Sequence, residues 1–217
     1  MSLMIFLFMC AENVLSLHIP NFCPHCGSDR IISKVPQGDE RMRAVCKDCH
    51  TIHYENPKVV VACVVRDTEL RYILGKRSIE PRIQTWGFPQ GFMELNETTR
   101  DCAARETIEE IGIVIDPSKL SLLAIYNLPK QVQIVYEAKI DSQSAEKHAQ
   151  STKECSEINL FHIDNLPPEN EIAFPTVIWA LHHAHHRRDI SHVQQRTKLY
   201  DGKTWKVITD DDIIENA

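Results

Sequence analysis

The segment from Gly91 to Gly112 constrains this chain most, because it places three glutamates within one turn of a predicted helix. Glu106, Glu109 and Glu110 are spaced i, i+3 and i+4, so an α-helix carries their carboxylates on one side. Like charges at this spacing destabilise an isolated helix. A bound cation compensates them, and carboxylate oxygens suit Mg²⁺ or Mn²⁺. The alternative is an acidic face that only meets solvent.

Flanking residues predict where this helix begins and ends. Thr98 and Asp101 form a capping-box pattern, so the helix should begin just after Thr98. Gly112 can adopt the left-handed conformation that ends a helix. Four residues repeat at i, i+3, i+4 and i+7 and are predicted to face a core opposite the carboxylates: Ala104, Thr107, Ile108 and Ile111.

Three neighbours of the glutamates extend the predicted site. Glu97 lies in the loop before the helix, from which its carboxylate can reach the same ion. Arg105 is predicted to hold Glu106 and Glu109 by charge-assisted hydrogen bonds. Cys102 falls on the acidic side, and we expect it to pack rather than to contact the metal.

These positions resemble the Nudix box, G-x5-E-x7-R-E-U-x-E-E-x-G-U, in which U is an apolar residue. All seven fixed letters are present, as Gly91, Glu97, Arg105, Glu106, Glu109, Glu110 and Gly112. The departure is Thr107 at the first U position. The resemblance to the Nudix hydrolases covers residues 58–188 and implies an α+β fold, an α/β/α sandwich around a mixed sheet.

The resemblance also implies roles for individual residues in the hydrolysis of a phosphoanhydride. The residues implied in catalysis are Arg105, Glu106, Glu109 and Glu110. The same glutamates would hold Mg²⁺ or Mn²⁺ with help from Glu97, and Gly91 would let the loop backbone approach closely. Candidates for the general base are Glu106, Glu154 and Glu157. Arg77 and Arg82 are candidates for phosphate binding, with simple solvation as the alternative for each.

A second motif precedes the box. Two Cys-x2-Cys pairs, separated by 19 residues, are formed by Cys23, Cys26, Cys46 and Cys49. Four thiolates on two tight turns suit tetrahedral Zn²⁺, and a filled ligand set indicates a structural ion. The alternative, two disulfides, requires an oxidising compartment.

The cysteine pairs followed by the box look like the zinc-ribbon Nudix proteins, whose members cleave FAD, ADP-ribose or related dinucleotide pyrophosphates. The related NADH pyrophosphatases carry a Ser-Gln-Pro-Trp-Pro-Phe-Pro run after the box, which this chain lacks. We therefore expect FAD or ADP-ribose as the substrate. The alternatives are hydrolysis of NADH or a dinucleoside polyphosphate, or a non-catalytic protein that senses nucleotides or binds nucleic acid through the ribbon.

Composition limits the partners. The formal net charge is -6, and the residues around the cysteines carry no net charge, which argues against nucleic-acid binding. The apolar run at the start is too short to span a membrane and has no preceding Lys or Arg, so we expect a cytoplasmic protein. By the resemblance we also expect a homodimer acting on a nucleotide-derived small molecule.

The expected organisation has four parts. Residues 1–20 are an apolar or disordered start, 21–57 the zinc ribbon, 58–188 the Nudix domain and 189–217 a C-terminal extension with a turn at Asp201-Gly202. Strands are predicted at 58–66, 70–77, 120–127, 131–140 and 157–163, a polar loop at 142–153, and a second helix from Pro175.

Overall fold

The computed structural model of the protein describes residues 18–148, 151–187, 191–200 and 204–209. The chain divides into two compact units, and the boundary in the N-terminal half falls between Pro57 and Lys58. The apolar start up to residue 17 and the predicted turn at Asp201-Gly202 lie outside the described residues.

The first unit contains a small antiparallel sheet. Its strands are β1 (Ile31–Lys34), β2 (Arg43–Cys46) and β3 (Ile52–His53), in the order β1-β2-β3. Cys23 and Cys26 precede β1, Cys46 ends β2, and Cys49 lies in the turn that follows. The two cysteine pairs therefore sit on two turns beside the same sheet.

The second unit is built on a mixed sheet with nine strands in the described part of the chain. These are β4 (Lys58–Arg66), β5 (Tyr72–Arg77), β6 (Trp86–Gly87), β7 (Gln90–Phe92), β8 (Ser121–Leu128), β9 (Gln131–Lys139), β10 (Cys155–Phe161), β11 (Gln194–Tyr200) and β12 (Trp205–Thr209). The order is β10-β5-β4-β9-β8-β11-β12, with β6 beside β5 and β7 beside β4. The β4–β9 and β8–β11 pairs are parallel.

Helices cover both faces of this sheet. They are α1 (Thr99–Ile111), α2 (Ser142–His148) and α3 (Pro175–His186), and single 3₁₀ turns occur at Pro117–Lys119, Ile163–Asn165 and Glu169–Glu171. One core lies between the sheet and α3, and the other lies between the sheet and α1 with α2. The predicted α/β/α sandwich around a mixed sheet is confirmed.

The separation of β4 from β5 creates the place that α1 occupies. The two strands pair at Arg66 and Tyr72, beside the turn that joins them. Further along, β4 and β5 separate: β5 pairs with β6, and β4 pairs with β7. Residues 86–92 therefore cross from β5 to β4. Gly91 lies in this crossing segment, and α1 packs against β4 and β7.

Two parts of the chain differ from the sequence prediction. The sequence predicts a loop over 142–153, but the first part of this segment forms α2, because Asp141 accepts a hydrogen bond from the backbone of Ser144 and Ala145 is fully buried in the core. In the predicted C-terminal extension, β11 pairs with β8 and so adds a strand to the sheet.

Within the described residues, every helix is too short or too polar to cross a bilayer.

Candidate metal centre

The ends of α1 are set by the residues that the sequence indicated. The Thr98 hydroxyl accepts a hydrogen bond from the Asp101 backbone, and the Asp101 carboxylate accepts one from the Thr98 backbone. At the other end Gly112 is left-handed, with φ 72°, and its N–H donates to the carbonyl of Ile108. The helix therefore begins and ends as predicted, which fixes the register of its glutamates.

The buried face of α1 includes Ala104, Thr107 and Ile111, as predicted, but it excludes Ile108 and extends to two of the glutamates. Glu106 and Glu110 are only 7% and 5% exposed, whereas Ile108 is 44% exposed. The prediction that Ile108 faces the core is wrong, and Glu106 and Glu110 belong to the buried face instead of lying opposite it. The residues that face inward at i, i+3, i+4 and i+7 are Ala103, Glu106, Thr107 and Glu110. Two of the three glutamates are thus buried against the sheet, and Glu109 is the exposed one.

Arg105 connects the carboxylates. Its Nη1 donates to Glu106 at 2.6 Å and to Glu109 at 3.0 Å, as the sequence predicted. Its Nε and Nη2 donate to the two oxygens of Glu97 at 3.1 and 2.8 Å, and Nη2 also reaches the carbonyl of Phe92. These charge-assisted bonds hold the pKa of Glu97 at about 2, so that carboxylate stays ionised.

Glu110 lies where a negative charge is poorly tolerated. Burial raises the pKa of its carboxyl to about 8, an effect that Arg77 opposes and that Glu106 and Glu154 reinforce. Burial likewise raises the pKa of Glu106. A divalent cation favours the ionised form of such groups and supplies the charge that Arg105 and Arg77 do not. Carboxylate oxygens are the ligands that a hard cation such as Mg²⁺ prefers, so these glutamates are candidates to bind one.

Gly91 is the point at which the loop backbone meets the helix. A Cβ atom at this position would lie 2.2 Å from Oε1 of Glu106 and 2.4 Å from Oε2. Only glycine leaves room for the Glu106 carboxylate in its observed position, because contacts below 3.0 Å are not tolerated. The close approach that the sequence suggested for Gly91 is present.

Gly91→Ala is expected to lower kcat at least about tenfold, because the new methyl group displaces the Glu106 carboxylate from its place beside β7. The atoms that must move are the end of a flexible side chain, so we expect the thermal unfolding midpoint to change little. Gly87→Ala is the matched control, since its Cβ would meet Ala173 at 3.7 Å, an ordinary contact. Equal activity of Gly91→Ala and the wild type would show that this approach has no catalytic role.

The other predicted site residues fall into two groups. Glu154 lies close enough to raise the pKa of Glu106 and Glu110, and Arg77 lies close enough to lower that of Glu110. By contrast, Glu157 is exposed and pairs with Lys76 at 3.6 Å. Arg82 donates to the backbone carbonyls of residues 173 and 172 at 3.1 and 3.3 Å, so much of its guanidinium is engaged by the protein.

One neighbour of the glutamates had no signal in the sequence: the backbone of Gln90 lies close enough to Glu110 to lower the pKa of its carboxyl. Cys102 is fully buried, and its Sγ lies 3.8 Å from the carbonyl of Phe92 and 3.4 Å from Nη2 of Arg105. Cys102 therefore packs beneath the Arg105 network, as expected. The position of Gln90 near Glu110 depends on how β7 packs against α1, and no local sequence pattern predicts that packing.

The four cysteines of the first unit form a second cluster. The Cys23–Cys49 and Cys26–Cys46 sulfur pairs are each 3.6 Å apart, and all four sulfurs lie within 4.8 Å of one another. Sulfurs bound to Zn²⁺ at about 2.3 Å in a tetrahedron are separated by about 3.8 Å. A disulfide needs about 2.05 Å, so the alternative of two disulfides does not fit these cysteines. The hydroxyl and backbone of Thr51 lower the pKa of Cys49 to about 6, which favours a thiolate ligand.

Comparison with protein families gives two matches. The model described as NUDIX domain matches residues 56–180, more than half of the chain, and the model described as Nudix N-terminal, a zinc ribbon, matches residues 21–55. Together they cover residues 21–180, which include both candidate metal sites.

Curated relatives carry names of RNA-end hydrolases. The NAD-capped RNA hydrolase NudC of Vibrio cholerae is 29% identical over 147 residues, covering 68% of this chain and 51% of the relative. The m7GpppN-mRNA hydrolase dcap-2 of Caenorhabditis elegans is 24% identical over 170 residues, 72% of this chain and 19% of the relative. The chain spans about half the length of the NudC relatives. The expectation that nucleic acid is not a partner stays a prediction, and these names count against it.

Solved structures agree on the fold. A NUDIX hydrolase from Nitrosomonas europaea is 36% identical with a TM-score of 0.68, covering 82% of this chain and 99% of that one. The NUDIX domain of Shewanella oneidensis NrtR, solved with ADP ribose, is 18% identical with a TM-score of 0.52, covering 63% of this chain and 91% of that one. The second likeness concerns the fold alone.

Proposed function

Because this chain belongs to the Nudix hydrolase family, we propose that it hydrolyses the pyrophosphate bond between a nucleoside diphosphate and a second group, using Mg²⁺ or Mn²⁺. We favour FAD or ADP-ribose as the substrate. The observation that carries the proposal is the pair of buried glutamates, Glu106 and Glu110, on a helix of fixed register, with the Glu106 carboxylate against the Gly91 backbone.

The residues act together on a phosphoanhydride. Glu106, Glu109 and Glu110, with Glu97 assisting, would hold the cation, which would neutralise phosphate charge and activate water. Arg105 keeps Glu106 and Glu109 in fixed positions through its two bonds from Nη1. Burial of Glu106 and Glu110 excludes water from their side of the helix, which strengthens their interaction with a cation.

Two arginines and one further glutamate complete the proposed site. Arg77 lies close enough to Glu110 to lower the pKa of its carboxyl, which makes its charge a candidate to bind a phosphate oxygen near the cation. Arg82 is a weaker candidate, because two of its nitrogens donate to backbone carbonyls. Glu154 is our candidate for the general base, because it lies near both buried glutamates while Glu157 pairs with Lys76.

Glu154→Gln is expected to lower kcat at least about tenfold, since general-base catalysis contributes on the order of 10²–10⁴ and a metal site retains part of the rate. Glu157→Gln makes the same change three residues later on the exposed side and should leave kcat within about twofold. Steady-state rates of both variants, measured over a range of pH, show which of Glu154 and Glu157 acts as the general base. A larger loss in Glu157→Gln than in Glu154→Gln would reverse the assignment.

A substrate panel with purified, zinc-loaded protein tests the function. We would compare FAD, ADP-ribose, NADH and a dinucleoside polyphosphate with Mg²⁺, and identify the products by chromatography. Hydrolysis in ¹⁸O-labelled water shows which phosphorus atom is attacked. We expect FAD or ADP-ribose to have the highest kcat/KM. Absence of hydrolysis across the panel, and on capped RNA, would remove the proposed activity.

RNA with a 5′-terminal NAD cap is the second candidate, favoured by the names of the NudC relatives. It contains the same kind of pyrophosphate bond, so the metal centre needs no change. The neutral charge of residues 21–57 argues against tight binding of the RNA chain. We expect the kcat/KM for NAD-capped RNA to be no higher than that for free NADH.

A homodimer stays a prediction, which analytical ultracentrifugation tests.

A further inference from the structure

A pair of glutamine side chains bridges three strands of the sheet on the face that packs against α3, directly before the Gly91 segment. Gln133 of β9 is 1% exposed, and its Nε2 donates a hydrogen bond to Oε1 of Gln90 on β7. Strand β4 lies between them, with Val60 opposite Gln133 and Ala62 opposite Gln90. The hydrogen bond between the two side-chain amides therefore passes over β4, and the small side chain of Ala62 leaves space for it.

Gln90 connects this bridge to the carboxylates. It directly precedes Gly91, whose backbone meets Glu106, and its own backbone lies close enough to Glu110 to lower the pKa of that carboxyl. Strand β7 has only three residues, and its ladder pairs it with β4. The side chain of Gln133 is thus an additional attachment for a very short strand whose backbone touches the buried Glu106 carboxylate.

Stability alone does not account for this polar pair. The Oε1 atom of Gln133 is buried and has no hydrogen-bond partner among the described residues. A buried acceptor without a partner destabilises the folded state, whereas two apolar side chains of similar shape fill the same space without that penalty. Gln133 contacts Gln90, next to the residue whose backbone meets Glu106, so the cost in stability is explained if this contact positions that segment.

We propose that Gln133 is a positioning residue for the hydrolysis: it holds Gln90, and through it β7, so that the backbone at residues 90 and 91 keeps Glu106 and Glu110 in the arrangement that binds the divalent cation. This inference rests on the proposed function. Displacement of metal ligands by about 0.5 Å already impairs a metal site. Loss of one hydrogen bond to a three-residue strand should therefore have a measurable effect on metal binding.

The test separates positioning from stability. In the zinc-loaded protein we would compare Gln133→Met, Gln90→Met and the double variant, measuring Mn²⁺ affinity by electron paramagnetic resonance, the thermal unfolding midpoint, kcat and KM. Gln133→Met should weaken Mn²⁺ binding and lower kcat, each about tenfold, with KM nearly unchanged. The double variant should regain the wild-type unfolding midpoint, because no amide is left unpaired, but should not regain Mn²⁺ affinity.

Gln131→Met is the matched control, because it makes the same change two residues earlier on β9 and on the same face. It should bind Mn²⁺ like the wild type. The inference is overturned if the double variant recovers both Mn²⁺ affinity and kcat, if Gln133→Met behaves like the wild type, or if Gln131→Met causes an equal loss. A wild-type protein that hydrolyses no substrate, while Gln133→Met still weakens Mn²⁺ binding, would remove the proposed function but leave the positioning role.

Discussion

Replacing Glu106 or Glu110 by glutamine is expected to lower kcat by at least about 10². Each substitution keeps the size of the side chain and exchanges one negatively charged oxygen for an amide nitrogen that cannot bind a cation. Both side chains are buried, so water cannot readily substitute for the lost ligand. The fold should remain intact, because burial already disfavours the charge on these groups.

The measurement is the initial rate on the best substrate of the panel over a range of Mg²⁺ concentrations, with unfolding curves to confirm folding. Glu146→Gln makes the same charge change on α2, where the side chain is 62% exposed and pairs with Arg71, and should keep wild-type activity. Near-normal rates in both Glu106→Gln and Glu110→Gln would exclude the proposed mechanism. A loss that excess Mg²⁺ reverses would show that the residue contributes to affinity for the ion rather than to the chemical step.

Cys46→Ser and Cys49→Ser are each expected to abolish zinc binding and to unfold the first unit. Its strands have only four, four and two residues, and apart from the cysteines few of its side chains are buried. Structural zinc contributes about 10–16 kcal/mol of apparent binding free energy at neutral pH, comparable with the whole stability of a small domain. Without the ion, a sheet of this size cannot remain folded.

Zinc content by mass spectrometry should fall from about one ion per chain to near zero in both variants. In amide spectra the signals of residues 21–57 should collapse to unfolded shifts, while those of the second unit persist. Cys63→Ala is the control, because Cys63 is fully buried in the core of the second unit and a small apolar side chain replaces it. Full zinc content with native spectra in both serine variants would contradict the structural role.

The features of this protein that depend on local interactions could be predicted from its sequence. The ends of α1 follow from the Thr98–Asp101 capping box and from Gly112, all of which act within one turn of the helix. The cysteine pairs behave in the same way, because each Cys-x2-Cys turn presents two sulfurs whatever surrounds it. The spacing of Glu106, Glu109 and Glu110 then follows from helix geometry, so the amino-acid sequence is enough to name the candidate metal ligands.

Long-range packing determined which face of α1 is buried and which residues lie near its glutamates. Whether Ile108 or Glu106 faces the sheet depends on where β4 and β5 separate and on how β7 fills the gap, and both depend on residues far away in the sequence. The same packing brought Glu154 rather than Glu157 to the glutamates and placed Gln133 behind Gln90. Sequence patterns report on contacts a few residues apart, and these side chains meet only because separate strands pair. The chain alone therefore determined which groups are candidates to bind metal, and the tertiary structure determined which of them are buried and what holds them.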